Sequence, residues 1–176
     1  MYHGEQPAQT RRPPGIAGFY KTLPGVLLVL VASCSGAPRQ QTRPGDADPS
    51  APTRHEIVRI AKTFVGTPYR AGGTSRKGVD CSGLVFAVYG EFDIRLPRTS
   101  LDQSRIGEQV GRSGLKPADL LFFRTSRRSS ISHVGIYIGG GKFIHASTSE
   151  RRVRMDALSD DYYKRRFTVA RRIVDG

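Results

Sequence analysis

The sequence predicts an α+β domain, with N-terminal helices packed on an antiparallel sheet of about five strands. Three observations predict it. Helix start signals and apolar positions at helical spacing fall between residue 53 and about residue 106. From Leu120 onward the pattern becomes short β-branched and aromatic runs bounded by glycine and polar turns. Those runs follow one another closely, as in hairpins, without the helical crossovers that parallel strands need.

Taken in order, residues 1–33 do not read as fold. Arg11, Arg12 and Lys21 form a basic lead, and a short apolar run from Leu23 to Ala32 follows. The run is far shorter than the roughly 20 residues that cross a bilayer, and with small residues at its end it matches an export signal. Val31-Ala32-Ser33-Cys34 resembles a bacterial lipobox, in which the cysteine is acylated and becomes the new N-terminus. Cys34 is therefore the expected lipidation site, and lipid the expected route to a membrane. Residues 34–52 carry Pro38, Pro44, Pro49 and Pro52 with no apolar period, and read as a disordered tether. Such a tether reaches on the order of 25 Å on average.

The folded domain is expected over 53–176. Thr53 and Glu56 have capping-box spacing, and Ile57, Ile60, Ala61 and Phe64 follow at helical spacing until Gly66 and Pro68. A glycine-rich loop fills 69–80. A second helix fits Cys81 to Tyr89, with Asp80 as N-cap. Ser100 and Gln103 repeat the capping-box spacing ahead of a third helix reaching about Ile106. Strands are predicted at Leu120–Phe123, His133–Ile138, Lys142–Ser147, Val153–Leu158 and Phe167–Val174.

Composition narrows the function. The chain has 176 residues, 38% of them hydrophobic, and a formal charge of +13. That is too polar for a helical membrane bundle and too well patterned for disorder. Two cysteines build no disulfide framework, and with four histidines they show no zinc-type spacing; no metal or cofactor is expected. The positive charge suits an anionic partner. Arg127-Arg128, Arg151-Arg152 and Lys164-Arg165-Arg166 read as solvated faces. The aromatic residues follow strand and helix periods rather than a nucleic-acid-binding module.

With Cys34 lipidated, Cys81 is the one thiol left in the exported part. It sits at a helix N-terminus, which acts as roughly half a positive charge and offers unpaired N–H groups. Both favour a thiolate and could hold an oxyanion. A nucleophilic cysteine needs a base. If Gly139–Gly141 form a three-residue loop, Ile138 pairs with Lys142, so His145 faces Gly135 and His133 faces Ser147. The two histidines then share one face as diagonal neighbours. Gly135 leaves space opposite His145, and a two-residue loop would split the histidines onto opposite faces. The result is a Cys81–His133–His145 relay in which His133 is the base and His145 orients it.

The domain resembles the NlpC-type cell-wall peptidases, a papain-like family of bacterial cysteine endopeptidases. The resemblance rests on Gly66-Thr67-Pro68-Tyr69 with Gly72-Gly73, Asp80-Cys81-Ser82-Gly83-Leu84-Val85, and Leu96-Pro97-Arg98-Thr99-Ser100 with Gln103. It continues through Pro117-Ala118-Asp119-Leu120-Leu121-Phe122-Phe123, His133-Val134-Gly135-Ile136-Tyr137 and Phe143-Ile144-His145-Ala146. The family has glycine where Ala118 stands. The resemblance implies a papain-like fold and hydrolysis of peptidoglycan stem peptides, at the D-glutamyl–diaminopimelate bond or the D-alanyl–diaminopimelate crosslink. It also implies substrate-binding roles for Tyr69, Asp80 and Ser82, with Asp80 pairing with a free amino group. Taken with Cys34 and Ser35, it implies a monomeric lipoprotein of the cell envelope, on the outer membrane facing the periplasm where the host has two membranes. Two rival readings are a non-catalytic wall-binding scaffold, and an acyltransferase or amidase using the same relay.

Overall fold

Thr53 opens the first helix with the expected capping box: its side chain accepts from the Glu56 backbone, and the Glu56 carboxylate accepts from the Thr53 N–H at 2.8 Å. This computed structural model describes residues 52–126 and 130–175. The export signal, the tether, Cys34 and the Arg127-Arg128 pair lie outside the described residues.

The helix, α1 (Arg54–Thr63), is followed by a two-stranded antiparallel ribbon, β1 (Thr74–Ser75) and β2 (Gly78–Val79), and then by α2 (Cys81–Gly90). After α3 (Ser100–Gln103) come β3 (Glu108–Val110), β4 (Leu120–Phe123), β5 (His133–Gly139), β6 (Lys142–Ser147), β7 (Arg152–Ala157), α4 (Asp161–Lys164) and β8 (Phe167–Arg172). Six strands form one antiparallel sheet in the order β3-β8-β4-β5-β6-β7. The α+β class is as predicted.

Several details differ from the sequence reading, among them the β1–β2 ribbon inside the expected glycine-rich loop and the unpredicted α4. The sheet has six strands rather than five: β3 is short and mostly exposed, so it shows no apolar period. The third helix is one turn long and is capped by Thr99, not Ser100. Gln103 does not reach back toward a cap; its buried amide donates to the carbonyls of Ser82 and Pro97, tying α3 to α2. Gly107, at φ +75°, then turns the chain into β3.

The alternation of the strands sorts the core onto two faces. Leu120, Phe122, Val134, Ile136, Ile144 and Ala146 pack with α1 and α2 in the larger hydrophobic core. On the other face Leu121, Phe123, Tyr137 and Phe143 form a smaller aromatic cluster. Asp119, fully buried beside β4, joins the layers: it accepts from Arg54 of α1 and from Arg172 of β8.

Candidate active site

Asp80 is the N-cap of α2, and its Oδ1 accepts from the Gly83 N–H at 2.7 Å. The Leu84 N–H bonds the Asp80 carbonyl. Two first-turn donors are thus occupied, and the N–H groups of Cys81 and Ser82 remain directed at the sulfur. Gly83 permits this close packing, because a Cβ there would lie 1.9 Å from the Gly73 carbonyl oxygen. The half-buried thiol also lies against the Val134 N–H, one residue from His133.

The helix N-terminus by itself favours a thiolate. Burial outweighs it and pushes the Cys81 thiol up, the Asp80 charge adds to the rise, and the three N–H groups oppose it. Burial pushes His133 down to about 3, helped by His145 and opposed by Asp156. Both shifts favour the uncharged forms, a neutral thiol and a neutral imidazole.

His133 and His145 do share a face. His133 Nε2 lies 2.9 Å from His145 Nδ1, with the rings nearly perpendicular at 85°. The route to that register is not the predicted one. Gly139 pairs with Lys142, leaving a two-residue loop of Gly140 and Gly141, both at positive φ. A bulge between Tyr137 and Gly139 absorbs one residue and restores the pairing of Tyr137 with Phe143 and Ile136 with Ile144. The space above Gly135 is not open either: the Phe143 ring fills it, 2.5 Å from where a Cβ would stand, and leans on the His145 ring.

The line of hydrogen bonds continues past His145. Its Nε2 lies 2.8 Å from Asp156 Oδ2, and the Tyr163 hydroxyl donates to the same oxygen at 3.2 Å. Arg154 pairs with Asp156 Oδ1 at 2.7 Å. These partners hold the Asp156 carboxyl below the usual carboxylate range even though burial works against them. The sequence reading missed Asp156 and Tyr163. Extending the strand pairing to β7 would have found Asp156, because it faces Phe143, diagonal to His145.

Tyr69, Asp80, Cys81 and Ser82 line one open groove together with Arg98. Arg98, also missed, donates to both Asp80 oxygens at 3.0 and 2.6 Å and to Ser82 Oγ at 2.9 Å. With Gly72 N–H and Gly83 N–H also bonded, the Asp80 carboxylate is fully engaged and is held below its ordinary range. Tyr69 is raised by burial and by the neighbouring Cys81 and Asp80. An adjoining cleft of about 300 Å³ is lined by His133, His145, Thr125, Ser147, Tyr162 and Tyr163. Among the described residues no group of three or more His, Cys, Asp or Glu side chains is arranged to hold a metal ion.

A half-buried thiol, a donor pair at a helix N-terminus and two bonded imidazoles on one strand pair can perform nucleophilic acyl transfer. The NlpC/P60 family profile matches residues 66–172. The probable endopeptidase NlpC of Escherichia coli is 45% identical over 113 residues, 64% of this chain and 73% of that protein. The probable endopeptidase NlpC homolog of Haemophilus influenzae is 40% identical over 119 residues, 67% of this chain and 62% of that protein. The murein DD-endopeptidase MepH of E. coli is 43% identical over 114 residues, 62% of this chain but only 42% of that protein. Among solved structures, an NlpC/P60 family protein from Bacillus cereus matches with TM-score 0.66 and 37% identity, over 69% of this chain and 40% of that one.

Proposed function

Given that the chain belongs to the NlpC/P60 family, we propose that it is a cysteine endopeptidase that hydrolyses peptide bonds in murein stem peptides. The observation that carries this reading is the bonded His133–His145 pair, with His133 on the strand whose Val134 N–H meets the Cys81 thiol. Cys81 is the nucleophile, His133 the base and His145 its orienting partner. The Cys81 proton passes to His133 as sulfur attacks the peptide carbonyl, and the Cys81 and Ser82 N–H groups receive the oxyanion. His133 then gives its proton to the leaving amine, and a thioester remains. Water, deprotonated by His133, cleaves the thioester and returns the thiol.

The names of the relatives, murein DD-endopeptidase among them, support the D-alanyl–diaminopimelate crosslink as one target and leave the D-glutamyl–diaminopimelate bond as the other. Tyr69 and Ser82 hold substrate beside the sulfur. Asp80 acts there together with Arg98, whose guanidinium it already binds. The test is mass analysis of products from defined crosslinked and uncrosslinked muropeptides. Cleavage by the wild type and its loss in Cys81→Ala are expected, and cleavage by Cys81→Ala at the wild-type rate would reject the reading. Acyl transfer to an added amine without hydrolysis would instead favour an acyltransferase.

The same reading covers the N-terminus. Residues 1–33 export the chain, and lipid on Cys34 anchors it in the envelope as a monomer. Radiolabelled palmitate on the wild type and none on Cys34→Ala is the expected result.

A further inference from the structure

The carboxylate beyond His145 has no part in the three-residue relay, yet its geometry fixes what the relay can do. An ionised carboxylate only accepts hydrogen bonds. With Asp156 Oδ2 at 2.8 Å, the proton of His145 belongs on Nε2. Where the ring carries that one proton, its Nδ1 is a bare acceptor, and the 2.9 Å contact then has His133 donate from Nε2. In the neutral His133 ring that leaves Nδ1 without a proton.

We infer that Asp156 is a positioning residue that dictates the protonated nitrogen of both imidazoles, so that His133 presents a bare Nδ1 to the thiol. This rests on the reading of Cys81 and His133 as nucleophile and base. When His133 takes the thiol proton, both its nitrogens carry hydrogen, and Nε2–H still donates to His145. The new positive charge stands at the end of an imidazole bridge whose other end is an anion. Asp156 stays ionised throughout and needs no proton of its own, as the carboxylate does in a Ser-His-Asp triad.

The groups around this chain come from four elements. His133 faces it from β5, Tyr163 from α4, Arg154 from β7 itself, and Cys81 stands at the far end on α2 with Asp80, Arg98 and Tyr69 around it. Arg154 also pairs with Glu150 at 3.4 Å, so its charge is shared between two carboxylates. Tyr163 is pushed well above the ordinary phenol range by burial and by Asp156, which keeps its hydroxyl a donor.

Two measurements on the full chain test the inference without any substrate. The first is ¹⁵N–¹H NMR of the imidazoles in the unaltered protein, where protons on Nε2 of both His145 and His133 are expected. A proton on Nδ1 of either neutral ring overturns the inference, and this reading stands even if a variant fails to fold. The second is alkylation of Cys81 by iodoacetamide against pH, read at the Cys81 peptide by mass spectrometry. Asp156→Asn should lower the rate at pH 7 about tenfold and move the midpoint up by about one pH unit. An unchanged alkylation profile and unchanged tautomers in a folded Asp156→Asn protein overturn the inference, even if muropeptide cleavage falls. Shifted tautomers in a protein that cleaves no muropeptide would count against the proposed substrate alone.

Discussion

Asp119 and Asp156 both hold a carboxylate in the interior of the sheet, 0% and 11% exposed at the side chain, and their partners differ in kind. Asp119 accepts from Arg54, from Arg172 twice, and from the Lys116 N–H. Guanidinium groups do not titrate in proteins, so this cluster has one charge state and fastens α1, β4 and β8 permanently. Asp156 spends one oxygen on a half-exposed arginine and the other on an imidazole and a phenol. Its charge can answer a proton that arrives two rings away. Burial of a carboxylate is therefore no guide to its purpose. The ability of the partner to change protonation is what separates a fastening from a relay.

Removing Asp119 should break the fastening most severely. Asp119→Ala leaves Arg54 and Arg172 facing each other without a counter-charge, and a loss of about 3–5 kcal/mol in urea unfolding is expected. A loss under about 1 kcal/mol would put Asp119 in the same class as a surface pair.

The relay side shows itself in pH. His133 is depressed in the fold, from 6.5 to about 3. The unfolded chain therefore takes up a proton that the folded chain refuses. The stability tied to this group is complete above about pH 6.5 and is lost as pH falls toward 3, by at most about 1.4 kcal/mol per unit. Urea midpoints of the wild type should fall between pH 6.5 and 4.5 more steeply than those of His133→Asn. Parallel slopes would show that His133 is not held neutral.

Asp156→Ala should cost far less stability than Asp119→Ala, about 1 kcal/mol by thermal or urea unfolding, because the partners left behind are an imidazole, a phenol and an arginine that reaches water. A cost equal to that of Asp119→Ala would erase the contrast between the two sites.

The smallest expected effect is next to the fastening itself. Ala118 adopts φ +70° with its N–H bonded to the Tyr137 carbonyl. Ala118→Gly relieves that conformation and should raise stability by about 0.5 kcal/mol, read as a small rise in Tm. A fall would mean that the buried Cβ contributes more packing than its backbone conformation costs.

Much of the site was legible in sequence because its signals are local. Capping spacing at Thr53 and Asp80 located α1 and α2, and put Cys81 at a helix N-terminus. Alternation in β5 and β6 put both histidines on one face. The hairpin has the predicted register, but not the predicted turn. A two-residue turn shifts the pairing by one, the bulge at Ile138 shifts it back, and neither event leaves a mark beyond three consecutive glycines. The third helix was overextended because Gln103 has cap spacing but spends its amide on α2.

By itself the sequence determined the order of the main helices and strands, the place of Cys81 at a helix N-terminus and the shared face of the two imidazoles. Each of these depends on residues within one element or one hairpin. Only the tertiary structure decided that Arg98 engages Asp80, that Phe143 fills the space over Gly135, and that Asp156 and Tyr163 complete the line behind His145. Those contacts join elements across loops whose geometry sets strand register and helix placement. Side-chain period alone does not carry that information from one element to the next.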